Sequence, residues 1–212
     1  MARPQSISDQ AILAEAYELL MDQGLGNLTF ERLGACVNLV PAALVRRFKS
    51  KQNLLLEVDR YALEQTDIKL EEARKKTASP IDAILAQFNA ILDFASSVGR
   101  FANGQEFLVA DFRDKNLYTN YQASFEHRHE QITEMLKEAL KTGELKDIDN
   151  IDELARHLEM ILHGSGHVWA MTQEGPIESY ISHHVQLALE PYKRNSKPKQ
   201  AAMNSSETPR TA

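Results

Sequence analysis

Apolar side chains recur every three or four residues along most of the chain, which is the spacing of one face of an α-helix. The first such face is formed by Ile12, Leu13, Ala16, Leu19 and Leu20. Ser8 offers a side-chain acceptor for the first free amides of this helix, and Gly24 suits the left-handed residue that closes it. No run alternates apolar and polar residues over a length typical of a strand. The pattern therefore predicts an all-α fold.

Two short helices are predicted next, with a tight turn between them. Thr29 precedes the first helix, which extends to about Val37. Because proline fits the first turn of a helix, Val40 and Pro41 mark the start of the second. Three helices within the first 50 residues, the last two short, are typical of a helix-turn-helix module.

Longer helices are predicted over the rest of the chain. One extends over about 50–76, and Ser79 before Pro80 predicts a new start after it. The following helices are expected over Ile81–Val98, Phe107–Arg113, Leu117–Lys141, Ile151–Met171 and Ile177–Tyr192. Gly99 and Asn103-Gly104 are expected to separate the first two of these. No stretch approaches the roughly 18 apolar residues of a membrane span, and the first residues lack the apolar core of a signal peptide, so we expect a cytoplasmic protein with no membrane partner.

Charge is distributed unevenly, although the formal net charge of the whole chain is −6. Residues 1–52 contain six Lys and Arg against five Asp and Glu, residues 53–192 have a net charge of −11, and residues 193–212 contain five basic residues and one acidic residue. A surface that approaches phosphates avoids negative potential. We therefore predict a helix-turn-helix head (residues 1–52) that approaches DNA, an acidic helical body (53–192) and a basic tail (193–212) whose polar composition predicts disorder.

The chain between Thr29 and Lys51 combines several residue types at fixed spacings. These are an opening Thr, an inward-packing pair, a turn, and two apolar residues followed by a lysine: Thr29, Leu33-Gly34, Val37-Asn38-Leu39-Val40, Leu44, Phe48 and Lys51. The segment resembles the signature of the tetracycline-repressor (TetR) family of transcriptional regulators. It departs from the signature at Asn38, where the family usually has Gly, and at Val45, where a Tyr typically touches phosphate.

The resemblance implies an N-terminal three-helix DNA-binding head followed by a C-terminal helical bundle that binds ligand and dimerises. It also implies a ligand-responsive regulator, a repressor by family resemblance, that binds a palindromic operator in double-stranded DNA as a homodimer and is released by a small-molecule effector. A dimer is expected on independent grounds too, because two heads related by a two-fold axis can recognise a palindrome.

The third helix predicts DNA contacts from its own residues. Helical spacing directs Leu44 and Phe48 to the core and leaves the other side free. Small residues let a backbone enter the major groove, Arg can donate to a guanine edge, and helix starts suit phosphates. The predicted DNA-binding residues are Thr29, Arg32, Pro41, Ala42, Val45, Arg46, Arg47 and Lys51.

Aromatic residues of the body either fill its core or line a ligand pocket. A bundle interior that combines aromatic rings with a few polar groups can hold a small organic molecule. The predicted pocket residues are Phe88, Phe107, Tyr121, Phe125, His163 and Trp169. His163 and His167 have the spacing of a metal-binding pair, but no third ligand is evident, and we predict neither a metal site nor a cofactor.

Three other interpretations depend on residue type. Cys36 is expected to be a small core residue, and His127-Arg128-His129 is expected to be exposed. An enzyme is not predicted, because the chain has no glycine-rich phosphate loop or nucleophile elbow. The alternatives to a regulator are a helical protein-interaction module, or a small-molecule or metal-binding bundle without a DNA function.

Overall fold

The computed structural model describes residues 7–77 and 79–194, and the regular elements of these residues are helices. They are α1 (Asp9–Gln23), α2 (Phe30–Val37), α3 (Pro41–Phe48), α4 (Lys51–Lys76), α5 (Pro80–Leu92), α6 (Val98–Asp111), α7 (Lys115–Thr142), α8 (Ile151–Thr172) and α9 (Ile177–Leu189). The predicted all-α fold is confirmed. None of the helices in the described ranges is both long and apolar enough to cross a membrane. The predicted tail lies outside the described residues from position 195 onward.

Polar side chains begin most of the helices, because the first amides of a helix have no backbone acceptor. Ser8 Oγ accepts a hydrogen bond from the Ala11 amide at 3.2 Å, and Ser79 Oγ accepts one from the Asp82 amide at 3.2 Å. Ser50 begins α4 in the same way, with its Oγ 3.1 Å from the Asn53 amide nitrogen. The helix starts predicted at Ser8 and Ser79 are confirmed.

The buried apolar residues form two clusters. The head core combines α1, α2, α3 and the first turns of α4, and Phe107 of α6 closes it. The body core combines α5, α7, α8 and α9, with Phe101 of α6. Helix α6 therefore contributes an aromatic ring to each core, six residues apart. Helix α4 extends from the head core, where Leu54 and Val58 are buried, to contacts with α5 and α7 of the body.

Helix α6 begins earlier than predicted. The expectation that Gly99 and Asn103-Gly104 interrupt the chain is wrong, because α6 passes through all three residues, and α5 ends at Leu92. Ser97 begins α6 by accepting a hydrogen bond from the Arg100 amide at 3.2 Å. Gly104 lies against the ring of Phe94, where a Cβ would collide with ring carbons. The glycine therefore serves close packing within a helix rather than a break.

Two expectations about burial are also wrong. Cys36 is exposed, because α2 turns Leu33, Gly34 and Val37 inward and leaves Cys36 on the opposite side. Arg128 and His129 are largely buried, with side chains 12% and 13% exposed. Packing of α7 against α8 covers both residues, and each pairs with a carboxylate of α8.

Candidate DNA-binding site and ligand cavity

The turn between α2 and α3 is set by local hydrogen bonds. Thr29 begins α2, with its Oγ1 accepting from the Arg32 amide at 3.2 Å. Asn38 ends the helix in the left-handed region, with φ 54° and ψ 45°. Asn tolerates this conformation better than other residues with a side chain, apart from Asp. The replacement of the family's usual Gly therefore leaves a tight turn in place.

Gly34 determines how closely α3 approaches α2. Its carbonyl accepts a hydrogen bond from the Leu39 amide at 2.9 Å. A Cβ at position 34 would lie 2.5 Å from the Leu39 carbonyl oxygen, which is too close for any side chain. The chain therefore passes directly over α2 before Pro41 begins α3 at its first helical position.

Helix α3 has one buried and one exposed side. Leu44 is fully buried and Phe48 is 6% exposed, and both belong to the head core. The opposite side is exposed and consists of Pro41, Ala42, Val45 and Arg46. Small and short side chains thus surround one arginine on the free face of this helix, an arrangement that suits entry into a major groove.

The basic residues near this face have different environments. Arg46 is exposed, and no described residue accepts a hydrogen bond from its guanidinium. Arg47 is turned toward the start of α1, where its Nη1 donates to the Ile7 carbonyl at 2.9 Å and to Asp9 Oδ1 at 3.1 Å. Of the two arginines, Arg46 is therefore the one available to a ligand outside the head.

Arg32 and Lys51 lie at the edges of the same surface. Arg32 is exposed, and its Nη1 donates to Gln23 Oε1 at 2.6 Å. Lys51 begins α4 and donates from Nζ to the Leu25 carbonyl at 2.9 Å. Both are long, exposed side chains whose present acceptors belong to the end of α1 and the segment that follows it, so an approaching phosphate would compete only with single hydrogen bonds.

A cavity of about 180 Å³ lies where the head meets the body. Its wall includes residues of α1, α4, α5, α6, α7 and α8. Of the six predicted pocket residues, Phe107, Tyr121 and His163 line it. Phe88 and Trp169 are instead buried in the body core, and Phe125 lies under the Arg128 guanidinium, 5.5 Å from its ring centroid.

A buried ion pair supports the α7–α8 side of the cavity. Arg128 Nε lies 3.0 Å from Glu159 Oε1 and 3.2 Å from Oε2, and Arg128 Nη2 lies 3.1 Å from Oε2. The Glu159 side chain is only 2% exposed. Two parallel hydrogen bonds of this kind hold an arginine in a fixed orientation. The positive charge in the cavity wall is thus matched by a carboxylate directly behind it.

The other polar groups of the wall include one acid. Asp59 of α4 is 5% exposed, and its Oδ2 accepts from Asn120 Nδ2 at 3.2 Å. Burial raises the pKa of Asp59 above its ordinary value, and the Asn120 hydrogen bond opposes this. Burial lowers the pKa of His163 to about 4, and burial raises the pKa of Tyr17 to about 12.

Sequence reasoning missed Asp59, Tyr17 and Arg128 as cavity residues. For Asp59 a signal exists, because it lies four residues after Leu55 and three before Ala62, on the inward side of α4. For Arg128 the charge pattern of the sequence indicates an exposed residue, because the partner that accompanies its burial, Glu159, lies on another helix. The paired histidines show no metal geometry: His167 Nδ1 contacts the His163 carbonyl at 3.0 Å, and the described residues contain no group of three or more potential ligands.

The fold and the exposed third helix are those of a helix-turn-helix protein with a C-terminal helical domain. Residues 12–58 match the family model described as bacterial regulatory proteins, tetR family. No curated protein matches the chain. Over residues 12–58 the chain is similar to the tetR family of bacterial regulatory proteins.

Solved structures share this fold at low sequence identity. A TetR transcription regulator from Haloarcula marismortui ATCC 43049 matches with a TM-score of 0.74 at 16% identity, covering 89% of this chain and 100% of that one. A putative transcriptional regulator from Saccharomonospora viridis, in complex with choline, matches with a TM-score of 0.72 at 18% identity, covering 82% and 91%. The TetR family transcriptional regulator PfmR from Thermus thermophilus matches with a TM-score of 0.63 at 20% identity, covering 84% and 96%.

Proposed function

We propose that this protein is a cytoplasmic repressor that binds a palindromic operator as a homodimer and releases it when a small molecule enters the cavity. The observation that carries the proposal is the free side of α3, where Arg46 is exposed among small residues while Leu44 and Phe48 hold the helix to the head core. We retain the division into head (1–52), body (53–192) and basic tail (193–212) as part of this proposal.

In the proposed complex, α3 enters the major groove and Arg46 donates to a base edge. Pro41, Ala42 and Val45 let the helix backbone approach the bases. Thr29, Arg32 and Lys51 flank α3 and hold phosphates at the starts of α2 and α4, which fixes the orientation of the head. Arg47 contributes by tying the start of α1 to the end of α3, at the 3.1 Å contact with Asp9.

The proposed dimer forms through α8 and α9. Helix α8 exposes Met160, Val168 and Met171 to 64%, 47% and 84%, and Leu187 of α9 is 60% exposed. Gly164 lies between Met160 and Val168, and no neighbouring atom lies within 4 Å of the position that a Cβ would take at this residue. A second helix therefore has room to approach there. An isologous pairing of these faces would cover the apolar side chains and relate two heads by a two-fold axis.

The proposed release mechanism depends on the position of the cavity. Tyr17 and Met21 of α1 line the cavity together with residues of the body, so a ligand there touches the head directly. Polar contacts also join α6 to α1. Arg100 forms ion pairs with Glu18 and Asp22, and Asn103 Nδ2 donates to the Met21 carbonyl at 2.7 Å. A ligand weakens DNA binding only if it prefers the head position that does not fit the operator.

Selection of bound fragments from random double-stranded DNA by the full chain tests the proposal. We expect enrichment of an inverted repeat whose half-sites are separated by roughly one helical turn or a multiple of it. Enrichment of no sequence, or of a single half-site without its repeat, contradicts the proposed dimeric recognition. Binding of other proteins without any DNA selection would favour the alternative of a helical interaction module.

A further inference from the structure

The described part of the cavity wall contains one carboxyl group, Asp59, and its surroundings differ from those of the other ionisable groups. Among the described residues that line it, the ionisable groups are Asp59, Arg128, His163 and two tyrosines. Arg128 is neutralised by Glu159, through the three contacts of 3.0 to 3.2 Å. Because burial lowers the pKa of His163 to about 4, its imidazole is neutral near pH 7. Asp59 is thus the carboxyl group of the described lining that no cation of the lining contacts.

Asp59 is well placed to meet a ligand. Its side chain is only 5% exposed, and in the described part of the chain it forms no ion pair. Asn120 supplies one neutral hydrogen bond at 3.2 Å. The charge of the adjacent Arg60 lowers the pKa of Asp59, but the Arg60 side chain is exposed and donates its hydrogen bond to Glu57 Oε1 at 2.9 Å instead. A buried carboxylate with a single neutral partner is costly, and a cation beside it would lower that cost.

The rest of the wall suits the apolar part of such a cation. Five aromatic rings line the cavity: Tyr17, Phe94, Phe101, Phe107 and Tyr121. Aromatic faces attract positive charge, most strongly where water is excluded, and they bind quaternary ammonium groups in other proteins. The volume of about 180 Å³ favours a small organic molecule rather than an extended chain.

We propose that the cavity binds a small organic cation of the ammonium class, whose positive charge lies against the Asp59 carboxylate between the aromatic rings. The inference deepens the proposed function, because this cation is the effector that releases the operator. In these proposals Asp59 in the cavity recognises the charge of the ligand, whereas Arg46 on α3 recognises DNA. The cation inference and the proposed DNA-binding function can therefore fail independently.

The test uses probes of matched shape and different charge. Choline and benzyltrimethylammonium are the cations, 3,3-dimethylbutan-1-ol is the neutral counterpart of choline, and 3,3-dimethylbutanoate is the anion. Binding to the full-length protein is measured by calorimetry and by the shift in melting temperature. We expect at least one cation to bind, with the neutral and anionic probes at least about tenfold weaker.

Asp59→Asn is the decisive variant. It keeps the side-chain shape and an oxygen that can accept from Asn120, and it removes a buried charge, so its melting temperature is expected to equal or exceed that of the wild type. We expect cation affinity to fall by at least about 30-fold, the loss associated with removing one partner of a buried charge pair. Asp67→Asn, an exposed change two turns further along α4, is the control and should bind as the wild type does.

Three results would overturn the inference. They are equal binding of choline and its neutral counterpart, preference for the anion, and unchanged cation affinity in a folded Asp59→Asn protein. Operator binding is measured on the same samples with a DNA fragment obtained by selection. Cation binding without operator binding leaves the inference standing and contradicts the proposed function, whereas operator binding without cation binding does the reverse.

Discussion

The buried pair of Arg128 and Glu159 provides a sharp test of how α7 and α8 are held together. Replacing Arg128 by Leu leaves the Glu159 carboxylate, 2% exposed, without its bidentate partner. The nearest alternative is His163, whose Nε2 lies 3.8 Å from Glu159 Oε2 and whose pKa is lowered to about 4, so it is neutral near pH 7. Breaking a buried pair by removing one partner costs about 3–5 kcal/mol.

The expected size of the effect follows from the length of the chain. For a protein of this size, each kcal/mol changes the melting temperature by about 2–4 °C, so Arg128→Leu should lower it by about 6–20 °C. The combined Arg128→Leu, Glu159→Leu variant removes both charges and should recover most of the loss, because an apolar pair of similar volume is often as stable as the ion pair.

Circular dichroism at fixed protein concentration measures these changes, since assembly makes melting concentration-dependent. Lys137→Leu is the matched control: its exposed pair with Glu134, 2.6 Å apart, contributes at most about 1 kcal/mol. A loss for Arg128→Leu no larger than that of the control would refute the assigned role of the pair. A double variant as unstable as the single one would show that the unpaired carboxylate is not the cause.

Three further predictions concern packing, pH and assembly. Gly166→Ala places a Cβ 2.6 Å from Phe101 Cε2 and should lower the free energy of unfolding, measured in urea, by about 1–3 kcal/mol. Gly99→Ala, whose Cβ would have its nearest atom at 3.8 Å, should not lower it, and equal losses for the two variants would contradict the packing account. Because the pKa of His163 falls from 6.5 to about 4 on folding, the free energy of unfolding should decrease as the pH falls from 6.5 to about 4. His163→Gln should reduce the slope of unfolding free energy against pH, and an identical slope in the variant would contradict this role of His163. The double variant Met160→Asp, Met171→Asp should be monomeric in analytical ultracentrifugation, whereas Ile68→Asp, a change at another exposed apolar residue, should leave the dimer intact. A monomeric wild type, or a double variant that is still dimeric, would contradict the proposed interface.

The head could be predicted from the sequence because its signals are local. Helix starts at Ser8 and Thr29 depend on side chains that bond amides three residues away, and these are visible in the order of residues. The two sides of α3 follow from helical spacing alone. Leu44 and Phe48 are buried as predicted, and Val45 and Arg46 between them are exposed.

The body could be predicted only in outline, because its details depend on contacts between distant residues. Gly104 resembles a helix breaker until Phe94 is seen to pack against it. Residue type alone does not separate Phe88, which fills the core, from Phe107, which reaches the cavity. The burial of Asp59 and Arg128 was harder still to predict. A charged residue on a helix is expected to be exposed unless another helix contributes its partner or the cavity that it lines.

The affinity of Arg46→Ala for a selected DNA fragment tests the central claim most directly. The full chain, Arg46→Ala and the control Lys75→Ala, an exposed basic residue in the last turn of α4, are compared at one salt concentration by fluorescence anisotropy. Each base contact contributes about 1–3 kcal/mol, and a dimer contains two, so Arg46→Ala should weaken binding by at least about tenfold while Lys75→Ala binds as the wild type does. Unchanged affinity of a folded Arg46→Ala protein would contradict the assignment of α3 as the helix that recognises DNA.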